Sequence, residues 1–312
     1  MDTKKKKIYI TGVSGFIGSR LAKIFLNQGY QVIGITRKLA SVVSNELGID
    51  VIEADFNDTS HLELEAANLI IHCATANDIL SKDIGAGLSL SIVGTNKLLE
   101  ASKKAGIQNV IFFSTAQVYG TELNGYYDEL TKINCETPYA ANHYLGEELC
   151  KFYCNTQNFN ITVLRPSNVY GVPEISTVNR KTLVPMCFVN DAINYGSIGL
   201  RSSGKQKRNF ILIDQLAEII FKTIENFPKG YSIRNCGSNL VLSILDVVNI
   251  ISDKYQSHYN KKLDTLVESN KPENSNNFEY KSKFIDYSNS KKDCTDYMEN
   301  VIDKLFQVGI KN

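Results

Sequence analysis

Short apolar runs alternate along the first half of the chain with longer stretches of helical spacing. "KIYIT" (Lys7–Thr11) reads as a buried strand. In the next segment, "GVSGFIGSRLAKIFLNQGY", Phe16, Ile17, Leu21, Ile24 and Phe25 recur along one helix face, and Gly29 ends the helix. "QVIGIT", "VIEA", "NLIIHCA", "NVIFFS" and "ITVLRP" are further strands, with the helical patterns "GTNKLLEASKKAG" and "YLGEELCKFYC" among the segments between them. Near-continuous apolar strands separated by amphipathic helices predict a parallel sheet covered on both faces. The expected class is α/β, a Rossmann-type doubly wound parallel sheet. The rhythm breaks after Pro166. "NVYGVPEISTVNRKTLVP" is loop-like, "VNDAINYGS" helical, "NFILI" a strand, and "DQLAEIIFKTIENF" and "LSILDVVNIISDKY" are helices. From Ser257 to Lys292 the chain is rich in Asn, Lys, Ser and Tyr and poor in aliphatics, which predicts loops and small elements.

Composition adds mostly exclusions. The net charge is +1 over 312 residues, so no strong field draws the chain to nucleic acid or membrane. The run Lys4–Lys7 reads as a solvated end or as a tag for an anionic surface. No apolar stretch approaches the ~18 residues of a membrane helix, and the polar start lacks a signal-peptide core. The seven cysteines are odd in number with no C-x-x-C pair, which argues against a disulfide framework. Cys150 and Cys154 share a helical face but have no His/Cys cluster around them, so they read as buried thiols and no metal site is expected. A reducing cytoplasm fits.

The candidate chemistry starts in "TGVSGFIG". Gly12, Gly15 and Gly18 lie between the first strand and the first helix. There a tight turn, a close backbone approach and close helix–strand packing cradle a pyrophosphate against free helix N–H groups. Strand two ends in "GITRK" without the acidic residue that takes the ribose 2′-hydroxyl of NAD. Arg37 stands there instead, as a partner for a 2′-phosphate or as a side chain lying over the adenine. The expected cofactor is NADP or NAD, with NADP slightly favoured. Asp55 reads as an acceptor for the adenine amine or as a plain loop aspartate. After the fifth strand, "FFSTAQVYG" places Ser114 and Thr115 at the C-terminal sheet edge. In "TPYAANHYLGEE", Tyr139 and His143 stand one helical turn apart, a geometry for a phenol that exchanges protons.

Taken in order, "TGVSGFIG", "ADFND", "GTNKLLEA", "STAQVYG", "TPYAANH", "LRPSNVYG", "GKQKRNF" and "NCGS" resemble the NAD-dependent epimerase/dehydratase family of extended short-chain dehydrogenases/reductases. These proteins act mostly on nucleotide sugars. The resemblance runs from Lys7 to about Asn249. It implies a dinucleotide-binding domain over 1–168, with 208–236 returning to it. It implies a smaller C-terminal substrate-binding region over 169–207 and 237–312. Gly12, Gly15, Phe16, Ile17, Gly18, Arg37, Asp55, Ala74, Tyr139 and His143 would hold the cofactor. Thr115, Tyr139 and His143 would be catalytic, and Thr115, Asn168 and Arg208 would hold the substrate. A homodimer packed through two helices is also implied.

The departures from the family pattern are informative. Ala116 and Gln117 replace the Asp-Glu pair of the dehydratases, Ser91 replaces an asparagine, and His143 replaces the catalytic lysine. A histidine with an ordinary pKa near ~6.5 is mostly neutral at pH 7. It lends Tyr139 little positive charge, which suits proton donation to a ketone. The expected activity is hydride transfer at a sugar carbon, most simply C4, in a nucleotide-sugar epimerase or 4-keto reductase and not a 4,6-dehydratase. The alternative is a non-catalytic dinucleotide-binding regulatory protein on the same fold.

Overall fold

The computed structural model describes residues 6–56, 62–176, 178, 182–267, 277–287 and 294–309. Lys4 and Lys5 of the basic run, and 268–276 and 288–292 of the polar stretch, lie outside the described residues. The chain opens with β1 (Lys7–Thr11), α1 (Phe16–Asn27), β2 (Gln31–Thr36), α2 (Ala40–Leu47), β3 (Asp50–Glu53) and β4 (Leu69–His72). A long helix follows, made of α3 (Ile84–Leu88), a π turn (Ser89–Val93) and α4 (Gly94–Lys104). Next come β5 (Asn109–Phe113), β6 (Gly125–Tyr127), α5 (Pro138–Gln157), β7 (Asn160–Pro166) and β8 (Asn168–Tyr170). The remainder holds α6 (Met186–Tyr195), β9 (Ser197–Leu200), β10 (Lys207–Leu212), α7 (Ile213–Glu225), β11 (Tyr231–Cys236) and β12 (Val241–Ser243). It ends with α8 (Ile244–Tyr259), β13 (Asp264–Val267), β14 (Phe278–Tyr280) and α9 (Thr295–Val308).

Seven strands form one parallel sheet in the order β11-β7-β5-β4-β1-β2-β3. This is the doubly wound Rossmann-type class expected from the apolar rhythm. The chain runs outward from β1 through β2 to β3, then crosses back to lay β4 on the other side of β1. The order therefore reverses between β1 and β4, where open α/β sheets open a crevice at their strand C-termini. β11, "YSIRNC", has no apolar run to announce it. Its first four residues are only half-buried because the strand is an edge. Helices α2 and α9 likewise went unread in the sequence.

Burial explains how the C-terminal part is attached. One core lies under α1 and α7 and continues without a break through Val189, Ile198, Val247, Ile251, Met298 and Phe306 of the later elements. A second core, with Tyr9, Ile70, Leu98, Phe112 and Val163, fills the opposite sheet face. β10 pairs with β8 and β12 in a three-stranded sheet, and β14 pairs with β6. The β14–β6 pair brings Phe278 and Tyr280 onto Val118 and Tyr119 just beyond β5. Among the described residues, no helix is long and apolar enough to cross a membrane.

Candidate active site

The crevice between β1 and β4 is built largely of backbone. Gly12 leaves β1 at φ +68°, a conformation that favours glycine, and its N–H bonds the Ile35 carbonyl at 2.9 Å. A Cβ on Gly18 would stand 2.3 Å from the Gly12 oxygen, so only glycine lets α1 lie this close to β1. Helix α1 begins after Gly15 with no side-chain cap. Its first-turn N–H groups are left for an anion, and a cavity of about 200 Å³ lies against Gly12, Gly15, Phe16, Ile17 and Gly18. The residues present therefore fit a dinucleotide pyrophosphate.

A buried polar chain supports this turn from below. Thr11 Oγ1 accepts from the Cys73 and Ala74 N–H groups, both at 3.1 Å, so its own proton goes to His72 Nδ1 at 2.7 Å. His72 Nε2–H then donates to Thr95 Oγ1 at 3.0 Å, and Thr95 donates to the Ser91 carbonyl at 2.6 Å. Burial, with His143 nearby, drives the His72 pKa down to about 3. Ser91 sits in the π turn, where its hydroxyl accepts from the Ala76 N–H at 3.0 Å. That is the position of the expected family asparagine.

A neighbouring cavity of about 390 Å³ has Thr36, Arg37, Lys38, Asp55 and Ala74, the residues expected around the adenine ribose, in its wall. The sequence reading missed Ser14, whose hydroxyl meets that of Thr36 at 2.7 Å in the same wall. The signal was its place between the first two glycines, opposite the end of β2.

The opposite wall of the crevice is made of side chains. Thr137 caps α5 by accepting from the Ala140 N–H at 3.1 Å, and Pro138 takes the first turn. The helix then presents Tyr139, His143 and Glu147 at four-residue spacing. The Tyr139 and His143 rings meet edge-on with centroids 4.5 Å apart. His143 Nδ1 lies 3.2 Å from the Phe113 carbonyl at the end of β5. Burial lowers the His143 pKa to about 4, against a smaller upward pull from that carbonyl. The imidazole is thus more firmly neutral than an ordinary histidine. Thr115, two residues beyond β5, caps the short 3₁₀ turn Ala116–Tyr119, accepting from the Gln117 N–H at 3.2 Å. Tyr139, His143 and Thr115 all border the cavity over the glycine turn.

Behind Thr115 lies a buried network that the sequence reading did not anticipate. Ser114 donates to Glu147, and Glu147 receives Arg165 through Nε at 2.9 Å and Nη2 at 2.5 Å. Burial alone would depress the Arg165 pKa, but the Glu147 carboxylate outweighs it and the guanidinium stays charged. Arg165 also donates to the Tyr119 hydroxyl at 2.7 Å, and Tyr119 donates to Asn235 at 2.8 Å. Tyr280 closes the circuit on the Arg165 carbonyl at 2.6 Å. The only sequence signal was Glu147 one turn beyond His143.

Thr115 also borders a second cavity of about 280 Å³, walled by Gln117, Thr121, Ser167, Asn168, Arg208, Asn209, Phe278 and Tyr280 among others. Asn168 donates to the Asn209 carbonyl at 2.9 Å. Among the described residues no carboxylate lines this cavity or the one over the glycine turn. The fold therefore brings Thr115, Tyr139 and His143 to the glycine turn and places Asn168 and Arg208 next door. Arg37, Asp55 and Ala74 stand together at the far end.

Comparison with known proteins bears on the family and the fold. A dTDP-D-glucose 4,6-dehydratase from Mus musculus is 24% identical over 298 residues, covering 90% of this chain and 82% of its own. Two solved structures share the fold. A UDP-N-acetylglucosamine 4-epimerase from Methanobrevibacter ruminantium M1, in complex with UDP-N-acetylmuramic acid, superposes with a TM-score of 0.80 at 23% identity over 98% of both chains. A UDP-glucuronic acid 4-epimerase from Bacillus cereus, in complex with NAD, gives 0.76 at 23% identity over 96% of this chain and 99% of that one. The family model for NAD dependent epimerase/dehydratase proteins matches residues 8–237. With the glycine turn, the switch-point crevice and that match in agreement, the chain belongs to the NAD dependent epimerase/dehydratase family.

Proposed function

We propose that the protein transfers hydride at a carbon, C4, of a nucleotide-activated hexose, as a 4-epimerase or a 4-keto reductase. The observation that carries this reading is the shared position of Thr115. It borders the cavity over the glycine turn together with Tyr139, and it borders the adjoining cavity together with Asn168 and Arg208. A nicotinamide dinucleotide, when bound, supplies or accepts the hydride. Thr115 orients the sugar hydroxyl or ketone, and Tyr139 moves the proton at that oxygen. Arg208 and Asn168 hold the substrate diphosphate, for which a guanidinium is well shaped. Arg37, with Lys38 and Ser14 in the same wall, favours a 2′-phosphate and hence NADP.

The same lining argues against 4,6-dehydration, although the Mus musculus relative is named for it. Eliminating water needs a group to take the C5 proton and another to protonate the leaving hydroxyl. Ala116 and Gln117 supply neither, and among the described residues no carboxylate lines either cavity. A dimer is proposed through the outer face of α3 and α5, where Ile84, Leu88, Leu145 and Phe152 are exposed.

Mass spectrometry of ligands retained on the purified protein should identify a dinucleotide and a sugar nucleotide. Turnover of the identified sugar nucleotide should fall about 10²–10⁴-fold in Tyr139→Phe. It should yield no 4-keto-6-deoxy product. Unchanged turnover in the Phe variant rules out the proton-transfer role. Dinucleotide binding without turnover of any nucleotide hexose supports the regulatory reading, which Ser91 and His143 motivate.

A further inference from the structure

Thr115 is tied down on both sides, and both ties end on one carboxylate. On its N-terminal side Ser114 donates directly to Glu147. On its C-terminal side, the short turn that Thr115 caps ends in Tyr119. The Tyr119 ring is buried, and its hydroxyl accepts from Arg165 Nη1 at 2.7 Å. A guanidinium can only donate, so the phenol proton goes to Asn235 Oδ1, 2.8 Å away. Arg165 in turn grips both oxygens of Glu147, through Nε at 2.9 Å and Nη2 at 2.5 Å. Glu147 stands on α5, two turns beyond Tyr139. One carboxylate thus joins the turn that carries Thr115 to the helix that carries Tyr139. The outer members are fixed as well: Tyr280 donates to the Arg165 carbonyl at 2.6 Å, and Asn235 Nδ2 donates to the Lys281 carbonyl at 3.0 Å.

We propose that Tyr119 is a positioning residue: through Arg165 and Glu147 it holds the Thr115 hydroxyl in register with the Tyr139 phenol, so that both meet the same sugar oxygen. The inference rests on the reading of Thr115 and Tyr139 as the groups that act on the substrate. Those two side chains come from different elements and border the cavity over the glycine turn together. Ser114 fixes only the near end of the turn to α5, and Tyr119 fixes its far end to the same carboxylate. A buried two-point ion pair suits this task, because the planar fork of a guanidinium sets a direction as well as a distance. A misplacement of about 1 Å in an orienting group slows a reaction about 10²-fold. The groups proposed to bind the dinucleotide and the diphosphate, the glycine turn and Arg208, lie outside this bracket. The loss therefore falls on turnover and not on affinity.

Two measurements test this. The first needs no turnover. In protein labelled with ¹³C at the threonine methyl groups, the Thr115 signal is assigned by its loss in Thr115→Val. It should shift or broaden in Tyr119→Phe, while the signal of Thr223 on α7 stays in place. The aromatic ring is kept, so a shift reports displacement of Thr115. A Thr115 signal that ignores the substitution overturns the proposal. The second is steady-state kinetics on the sugar nucleotide that mass spectrometry identifies. Tyr119→Phe should lower kcat about 10–100-fold, with KM and dinucleotide affinity within about twofold of the unaltered protein. In a Thr115→Val background the same substitution should lower kcat by less than about twofold, because the group it positions is gone. An equal loss in both backgrounds, or a loss confined to KM, overturns the proposal. If Tyr119→Phe does not fold, Asn235→Ser removes the acceptor of the phenol proton, leaves the Tyr119 ring in place and carries the same expectations. If Thr115→Val turns over as fast as the unaltered protein, or the unaltered protein turns over no nucleotide hexose, the catalytic reading fails, while the methyl signal still judges the bracket by itself.

Discussion

The two walls of the crevice are made in different ways. The glycine wall works through what is missing: the Gly12 backbone turns where side chains rarely go, and Gly18 leaves no Cβ between α1 and β1. The α5 wall works through what is present: Tyr139, His143 and Glu147, each held by a group from another element or aimed at a cavity. A backbone wall has few ways to change and each is steric. A side-chain wall changes with single side chains, as at His143, where the family pattern has lysine. The α5 wall also reaches further. The Glu147–Arg165–Tyr119–Asn235 chain links α5 to Tyr280, which borders the second cavity.

The sharpest way to break this contrast is Glu147→Ala. It leaves Arg165 buried without its counter-charge and should cost about 3–5 kcal/mol of stability in urea unfolding. Loss below 1 kcal/mol would show that the network is not the support of this wall. Next is acid. Both buried histidines have folded pKa values depressed from 6.5, His143 to about 4 and His72 to about 3. The unfolded chain therefore binds more protons below pH 6.5. Stability is complete above that pH and falls as pH drops toward 4 and then 3. Between pH 7.5 and 4.5 His143 should contribute about 2–3 kcal/mol of the loss. Urea midpoints of His143→Gln should fall correspondingly less over that window, and parallel curves would contradict the burial argument.

On the glycine wall, Gly18→Ala forces a Cβ within 2.3 Å of the Gly12 oxygen. A cost of about 1–3 kcal/mol is expected, together with weaker dinucleotide binding, because α1 must move off β1. Wild-type affinity in this variant would mean that the turn relaxes freely. At the rim the effect is confined to one cofactor. Arg37→Ala should leave the fold intact and weaken NADP binding by about 1.5–3 kcal/mol, with NAD nearly unchanged. Calorimetry with both cofactors decides, and equal losses remove the 2′-phosphate assignment.

Much of the glycine wall was legible in the residues themselves. "TGVSGFIG" between a strand and a helix dictates its own shape, since glycine spacing and helix start are local properties. The apolar runs also specified β1, β2, β4, β5 and β7, which the sheet buries, and β3, an edge strand whose Val51 and Ile52 are half-buried. β11 escaped since an edge strand is only half-covered, so Ser232 and Arg234 fit there. Ser14 escaped since only the folded turn brings it to Thr36.

The α5 wall divides the same way. Helical periodicity alone put Tyr139, His143 and Glu147 on one face, because 3.6 residues per turn is a property of the backbone. It did not say which nitrogen of His143 carries the proton. That was decided by the Phe113 carbonyl, 30 residues away in sequence, which β5 delivers to the helix. Nor did it pair Glu147 with Arg165, or bring Phe278 and Tyr280 from an aliphatic-poor stretch to the second cavity. The sequence by itself determined the central strands, the faces of the helices it announced and the glycine turn, whose causes lie within a few residues. The tertiary structure decided the protonation state, the buried ion pair and the wall of the second cavity, since each depends on groups that only the crossovers of the sheet bring into contact.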